Sequence, residues 1–173
     1  MKLLLILSLL QVPILSKYLS FAEATRTSAG AACIPNADAI SPEQIYVLQQ
    51  FGLLYFDPLR ERAKGPLYVS SLFRSRCINT NVGGAKNSEH MILGDVAACD
   101  IDQDGKGKIG NRALFFMIKD GPPFRQLIWE FGDTKSPGWV HVSWSTDPKK
   151  NIRKVYRATR INNRVIYQLF NPY

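Results

Sequence analysis

Only two histidines occur in this chain, so each can be weighed on its own surroundings. His90 sits in the polar stretch Asn87-Ser88-Glu89-His90-Met91, and His141 in the apolar run Trp139-Val140-His141-Val142-Ser143. Asp100 follows His90 within Ala98-Cys99-Asp100, with Asp95 and Asp102 as neighbouring carboxylates. Two imidazoles and one carboxylate leave a tetrahedral ion one open position, which is the arrangement of a hydrolytic zinc site. The same residues also read as a hydrogen-bonded core histidine at 141 and a surface histidine at 90. On residue types alone the second reading is the expectation.

Two other patterns invite a chemical reading. Asp100-Ile101-Asp102-Gln103-Asp104-Gly105 matches the first half of a calcium loop. Its twelfth position is Asn111 rather than a bidentate glutamate, so an aspartate-rich turn is the expectation. The three cysteines, Cys33, Cys77 and Cys99, are too few and too scattered for a disulfide-built scaffold or a CxxC zinc site. One pair can bridge in an oxidising compartment, but buried free thiols acting as apolar fillers are the expected state.

The elements that must position these residues follow from periodicity and breakers. Ser41-Pro42 marks a helix start, with Ile45, Leu48, Phe51 and Tyr55 on its inward face. Pro58 is expected to break or restart the helix, and Arg60 to Lys64 to close it. Leu67 to Ser71 reads as a strand, Phe73 to Leu93 as a long polar loop, and Val96 to Ile101 as a second strand. Asn111 to Asp120 reads as a helix stopped by Gly121-Pro122-Pro123. Strands are then expected at Gln126 to Phe131 and Trp139 to Ser145, with a hairpin of Val155 to Thr159 and Val165 to Phe170 turning at Asn162-Asn163. That order predicts a single α+β domain with a mainly antiparallel sheet flanked by helices.

Charge narrows the partners. Twenty-two basic against fourteen acidic residues give +8, which suits nucleic acid, anionic lipid or an acidic cell wall. The basic residues show no aromatic interleaving and no zinc-finger or helix-turn-helix signature, so no nucleic-acid partner is expected. The apolar stretch Leu3 to Leu15 behind Lys2 resembles the start of a signal peptide and is too short for a stable membrane span. Residues 1–16 are therefore expected to be a signal or an apolar extension, and 17–173 the domain. Export to the periplasm or cell envelope follows if the segment is a signal; otherwise the protein stays cytoplasmic until release. A possible cut after Ala22-Glu23-Ala24 would enter the domain.

Several short words, taken in order, carry a family resemblance. They are Ser71-Leu72-Phe73-Arg74-Ser75, Asn79 with Val82-Gly83-Gly84, Ser88-Glu89-His90, Ala98-Cys99-Asp100 and Trp139-Val140-His141. Together they resemble the zinc D-alanyl-D-alanine carboxypeptidase family, whose motifs read S-x-Y-R-S, S-x-H-x(n)-A-x-D and W-x-H. Its fold is shared with lysostaphin-type peptidases and the hedgehog signalling domain. The likeness is to the branch of bacterial and phage wall peptidases and endolysins, from about Tyr18 onward. It implies His90, Asp100 and His141 as zinc ligands, Arg74 as the group that grips a substrate carboxylate or carbonyl, and Ser88 as a substrate-binding or loop-bracing residue.

Two departures accompany the resemblance. The interval from His90 to Asp100 is longer than usual, with Ile92 to Val96 resembling an insertion, so Asp95 or Asp102 is an alternative ligand. Many relatives also carry a catalytic acid three residues before the last histidine, where this chain has Gly138. Glu130 is the expected substitute, ahead of Asp133, because a strand position holds a side chain rigidly. The implied protein is a monomeric zinc peptidase acting on peptidoglycan stem peptides as carboxypeptidase or endopeptidase. A non-catalytic, zinc-stabilised cell-wall-binding domain is the alternative.

Overall fold

The structure of the protein, a computed structural model, describes residues 12–27, 32–162 and 164–172. Two short helices open it, α1 (Phe21–Thr25) and α2 (Asn36–Ala39), before α3 (Pro42–Phe51). Ser41 caps α3 as expected: its hydroxyl accepts the Gln44 N–H while the Gln44 side chain accepts the Ser41 N–H. The helical path does not break at Pro58. It runs through a π turn, Gly52–Phe56, straight into α4 (Asp57–Ala63). The wider turn shifts the bonding register, Asp57 N–H pairing with the Gly52 carbonyl, so the missing N–H of Pro58 falls at the first turn of a new segment.

Six strands form one sheet: β1 (Val69–Ser71), β2 (Val96–Ile101), β3 (Gln126–Glu130), β4 (Trp139–Ser145), β5 (Lys154–Ile161) and β6 (Arg164–Leu169). Their order is β1-β2-β4-β3-β5-β6, and every neighbouring pair is antiparallel except β3 with β5. The fold is thus the α+β class expected, with one parallel pair. β1 is shorter than the Leu67 to Ser71 run suggested. The stretch from Phe73 to Leu93 is not one loop, since it contains α5 (Arg76–Asn81) and a 3-10 turn, Glu89–Met91. Ser75 caps α5 through the Ile78 N–H, a cap the polar composition concealed. Asn163, half of the expected hairpin turn, lies outside the described residues.

Strand alternation divides the sheet into two functions. Ala97, Cys99 and Ile101 of β2, Val140, Val142 and Trp144 of β4, and Leu127 and Trp129 of β3 join one hydrophobic cluster. Leu48, Phe51, Tyr55 and Leu59 from the α3–α4 path, and Leu114, Phe115 and Ile118 from α6 (Asn111–Lys119), close it. Each large side chain buried there contributes on the order of 2 kcal/mol. Because successive strand residues point to opposite sides, Asp100, His141, Ile128 and Glu130 share the other face.

Local ties fix the segments around the sheet. Asp57 accepts the Ser16 hydroxyl at 2.7 Å and the backbone N–H groups of Lys17 and Tyr18, and Leu15 is buried in the core. Residues 1–11 of the expected leader lie outside the described residues. Buried Asn36 donates to the Phe73 carbonyl and accepts the Ser75 N–H, gripping the segment that carries Arg74 from both sides.

The expectation of free thiols is corrected at two positions. Cys33 and Cys77 form a disulfide that joins the α2 segment to α5, while Cys99 stays free and buried. Their pairing is a tertiary fact: a separation of 44 residues gives no local sign of it. Closing a loop of that size restricts the unfolded chain. Replacing both cysteines with serine is expected to lower stability by about 2–4 kcal/mol, measured by denaturant unfolding against the oxidised wild type.

Candidate metal centre and its surroundings

Register between β2 and β4 places Asp100 directly opposite His141, and β3 places Ile128 on the other side of the same histidine. His90 arrives from outside the sheet on the 3-10 turn. Its Nδ1 lies 2.7 Å from the Leu72 carbonyl. A carbonyl only accepts, so Nδ1 carries the proton in the neutral ring and Nε2 presents its lone pair inward. Arg74 N–H donates to the His90 carbonyl at 2.9 Å and Gln44 Nε2 to the Met91 carbonyl, so the turn is held on two sides. Its end is sharp: Ile92 takes a left-handed conformation (φ 51°) with its side chain 3% exposed. Burial of that branched side chain offsets the backbone strain.

Three donor atoms then converge. His90 Nε2 lies 3.3 Å from His141 Nδ1 and 3.2 Å from Asp100 Oδ1, and His141 Nδ1 lies 2.8 Å from the same oxygen. A tetrahedral ion with bonds of about 2.0–2.1 Å needs donors spaced about 3.3 Å apart. Two of the three edges match that value, and the third is a hydrogen-bond length. All three residues are buried. Lone pairs of one imidazole and one carboxylate packed this closely call for a cation or a proton between them. Among the described residues this is the one group of three or more His, Cys, Asp or Glu side chains able to hold a metal ion.

Charge follows the packing. Burial opposes ionisation of Asp100, but His90, His141 and their hydrogen bonds hold its carboxyl well below the usual carboxylate range. Burial also disfavours both charged histidines. It prevails at His90, whose pKa falls, and loses at His141, where the Asp100 hydrogen bond and charge raise it. The second Asp100 oxygen accepts Arg74 Nη2 at 2.6 Å, while Arg74 Nε donates to Ser71 Oγ at 2.7 Å. Arg74 thus orients the Asp100 carboxylate with one of its five N–H groups while a second anchors the guanidinium on Ser71.

The other carboxylates considered from sequence lie elsewhere. Asp95 accepts Ser145 Oγ and Lys150 Nζ at the far end of β2, which draws its pKa down to about 2. Asp102 is bound by Lys106 Nζ and Asn111 Nδ2, so an ammonium and an amide take the oxygens of the calcium-like turn. Asp133 serves the turn after β3, accepting the N–H groups of Lys135 and Ser136. The apparent insertion is a loop between the 3-10 turn and β2, so it alters the interval without moving Asp100 off its strand.

Glu130 does join the face. It pairs with Trp139 in the β3–β4 register, diagonal to His141, and is 6% exposed. Burial raises its pKa to about 7, more than the positive charges of His141 and Arg74 lower it. Ser88 begins the 3-10 turn, where its side chain makes no capping bond.

Residues 18–143, from Tyr18 through most of β4, match the family model described as peptidase M15. The chain belongs to the peptidase M15 family. No curated protein matches it closely enough to count. The single mixed sheet with helices is compatible with an M15 peptidase fold.

Sequence reasoning missed Ser71, Asn36 and the Leu72 carbonyl as supports of this centre. Ser71 and Leu72 were legible, being part of the same short word as Arg74; Asn36 carried no signal.

Two outcomes follow from this geometry. Stoichiometric metal by elemental analysis should be lost in His90→Ala and in Asp100→Ala, while Asp95→Asn and Asp102→Asn retain it. In the metal-free protein, folding raises the Glu130 pKa from 4.5 to about 7. The folded state therefore holds a proton that the unfolded chain has released, and stability falls as pH rises through that window. Glu130→Gln should remove this slope. The variant should gain on wild type by on the order of 3 kcal/mol between about pH 4 and about pH 8, read from denaturant midpoints.

Proposed function

We propose that this M15 family member is a zinc-dependent peptidase that hydrolyses peptide bonds of peptidoglycan stem peptides, as a D-alanyl-D-alanine carboxypeptidase or an endopeptidase. The observation that carries the reading is the convergence of His90, Asp100 and His141 beside a buried glutamate on the coreless face of the sheet. Two nitrogens and one carboxylate oxygen at near-tetrahedral spacing suit zinc. When bound there, zinc supplies Lewis-acid polarisation of a carbonyl and a lowered pKa for water.

The protein residues do the rest. Glu130, poised near neutrality, accepts a proton from the attacking water and returns it to the leaving amine as the C–N bond breaks. Arg74 keeps Asp100 in its ligating orientation and has further N–H groups for a substrate carboxylate or carbonyl. Ser88, at the start of the turn that carries His90, is assigned substrate binding by its place in the Ser88-Glu89-His90 word. A net charge of +8 favours an acidic wall as the place of action. The Cys33–Cys77 disulfide supports export to an oxidising compartment, as the apolar N-terminus suggests. No helix among the described residues is long and apolar enough to cross a membrane.

The absence of an acid at Gly138 favours a second reading, a zinc-stabilised wall-binding domain without turnover. One experiment separates the two. Purified protein should cleave muropeptides, lose that activity to a chelator and regain it with zinc. Glu130→Gln should keep zinc yet hydrolyse about 10²–10⁴-fold more slowly. Activity that survives complete metal removal would end the zinc reading, and a zinc-loaded wild type that binds without cleaving would establish the second.

A further inference from the structure

The family match ends at residue 143, yet β5 and β6 come after it and extend the face that carries the metal centre. Parallel pairing of β3 with β5 sets Glu130 beside Ala158, and antiparallel pairing of β5 with β6 sets Ala158 beside Tyr167. Directly paired residues project to the same side of a sheet. Glu130, Ala158 and Tyr167 therefore form one row across three strands on the side of the metal ligands. Tyr167 stands two strand spacings from Glu130, about 9.6 Å. Ala158 between them is fully buried, so neighbouring side chains close over its methyl group.

Tyr167 differs from the other groups in the row. It is 54% exposed, whereas Glu130 is 6% and His141 8%. Its hydroxyl has no hydrogen-bond partner among the described residues. The phenol nonetheless feels the site: burial raises its pKa first, and the charges of Glu130 and Asp100 add to that against Arg74. It therefore remains a protonated donor under neutral conditions. Val165 and Leu169 share its side of β6, 40% and 79% exposed, and give it an apolar rim. Across the sheet, on the β1–β2 side, two donors of Arg74 are already engaged by Ser71 and Asp100. The face thus has a partly engaged guanidinium on one flank and an exposed phenol on the other.

We propose that Tyr167 is a catalytic residue of the hydrolysis assigned above, its phenol donating a hydrogen bond to the scissile carbonyl oxygen. This rests on the peptidase reading. The donor keeps its proton throughout; water adds to the carbonyl carbon, Glu130 carries the proton, and the amine leaves when the C–N bond breaks. Such a bond strengthens as negative charge builds on the oxygen, so it acts on turnover more than on substrate affinity.

The test is Tyr167→Phe, which removes one oxygen from an exposed edge position and leaves the ring. Expected are a kcat lower by roughly tenfold to a hundredfold, a KM close to wild type, and unchanged zinc stoichiometry. A readout apart from activity is calorimetric binding of a phosphinate analogue of D-alanyl-D-alanine, whose tetrahedral oxygens mimic the charged species. Its affinity should fall by the same factor as kcat in Tyr167→Phe. An active wild type whose Tyr167→Phe variant matches it in both kcat and phosphinate affinity overturns the role of Tyr167 alone. A wild type that neither cleaves stem peptides nor binds the phosphinate overturns this proposal together with the reading beneath it.

Discussion

The register between β2 and β4 is the constraint on which the rest of this protein depends. Cys99 lies opposite Val142 in the core, and one residue on, Asp100 lies opposite His141 on the other side of the sheet. A slip of a single residue would send Asp100 into the hydrophobic cluster and Cys99 to the metal centre. Both faces penalise that slip, one by burying a charge and the other by exposing apolar surface. The pairing of two candidate metal donors and the core packing are therefore the same structural decision, made once along two strands.

The parts that are not strand-borne are held by supports of a different kind. His90 depends on a short turn, and that turn on the Leu72 carbonyl, the Arg74 amide and the Gln44 side chain. Arg74 depends in turn on the grip of Asn36 and the nearby disulfide. The arrangement is layered: candidate donors held by second partners, and those partners held by segments far away in sequence. Protein metal centres commonly need such backing to keep their donors rigid.

Much of this was legible in the residues themselves. The β2 and β4 runs, the Ser41 cap and the α6 pattern are local signals, and local physics produced the corresponding elements. Asp100 was distinguishable from Asp95 and Asp102 by its flanking word, and the hydrogen bonds show each rival committed to another partner. What stayed hidden was non-local. The Cys33–Cys77 pairing, the clamp by Asn36 and the parallel register of β3 with β5 arise from chain segments meeting in space. At Pro58 the restart, not the break, is what forms: a proline excludes an α-helical bond, and a change of helical register evades the exclusion.

The two borders of the sheet have unequal exposure to their surroundings. β1 is only three residues long, whereas β6 runs for six, all of them exposed, with no further strand beside it among the described residues. A long border with Val165, Ile166, Tyr167 and Leu169 is a template onto which a second copy could add a strand. Arg160 and Arg164 at the hairpin end, and the +8 charge of the whole chain, oppose that contact through repulsion. Such protection is ionic and fades once the Debye length shrinks to a few ångströms in concentrated salt. The colloidal behaviour of the protein is thereby tied to ionic strength at the same strand that flanks its metal centre.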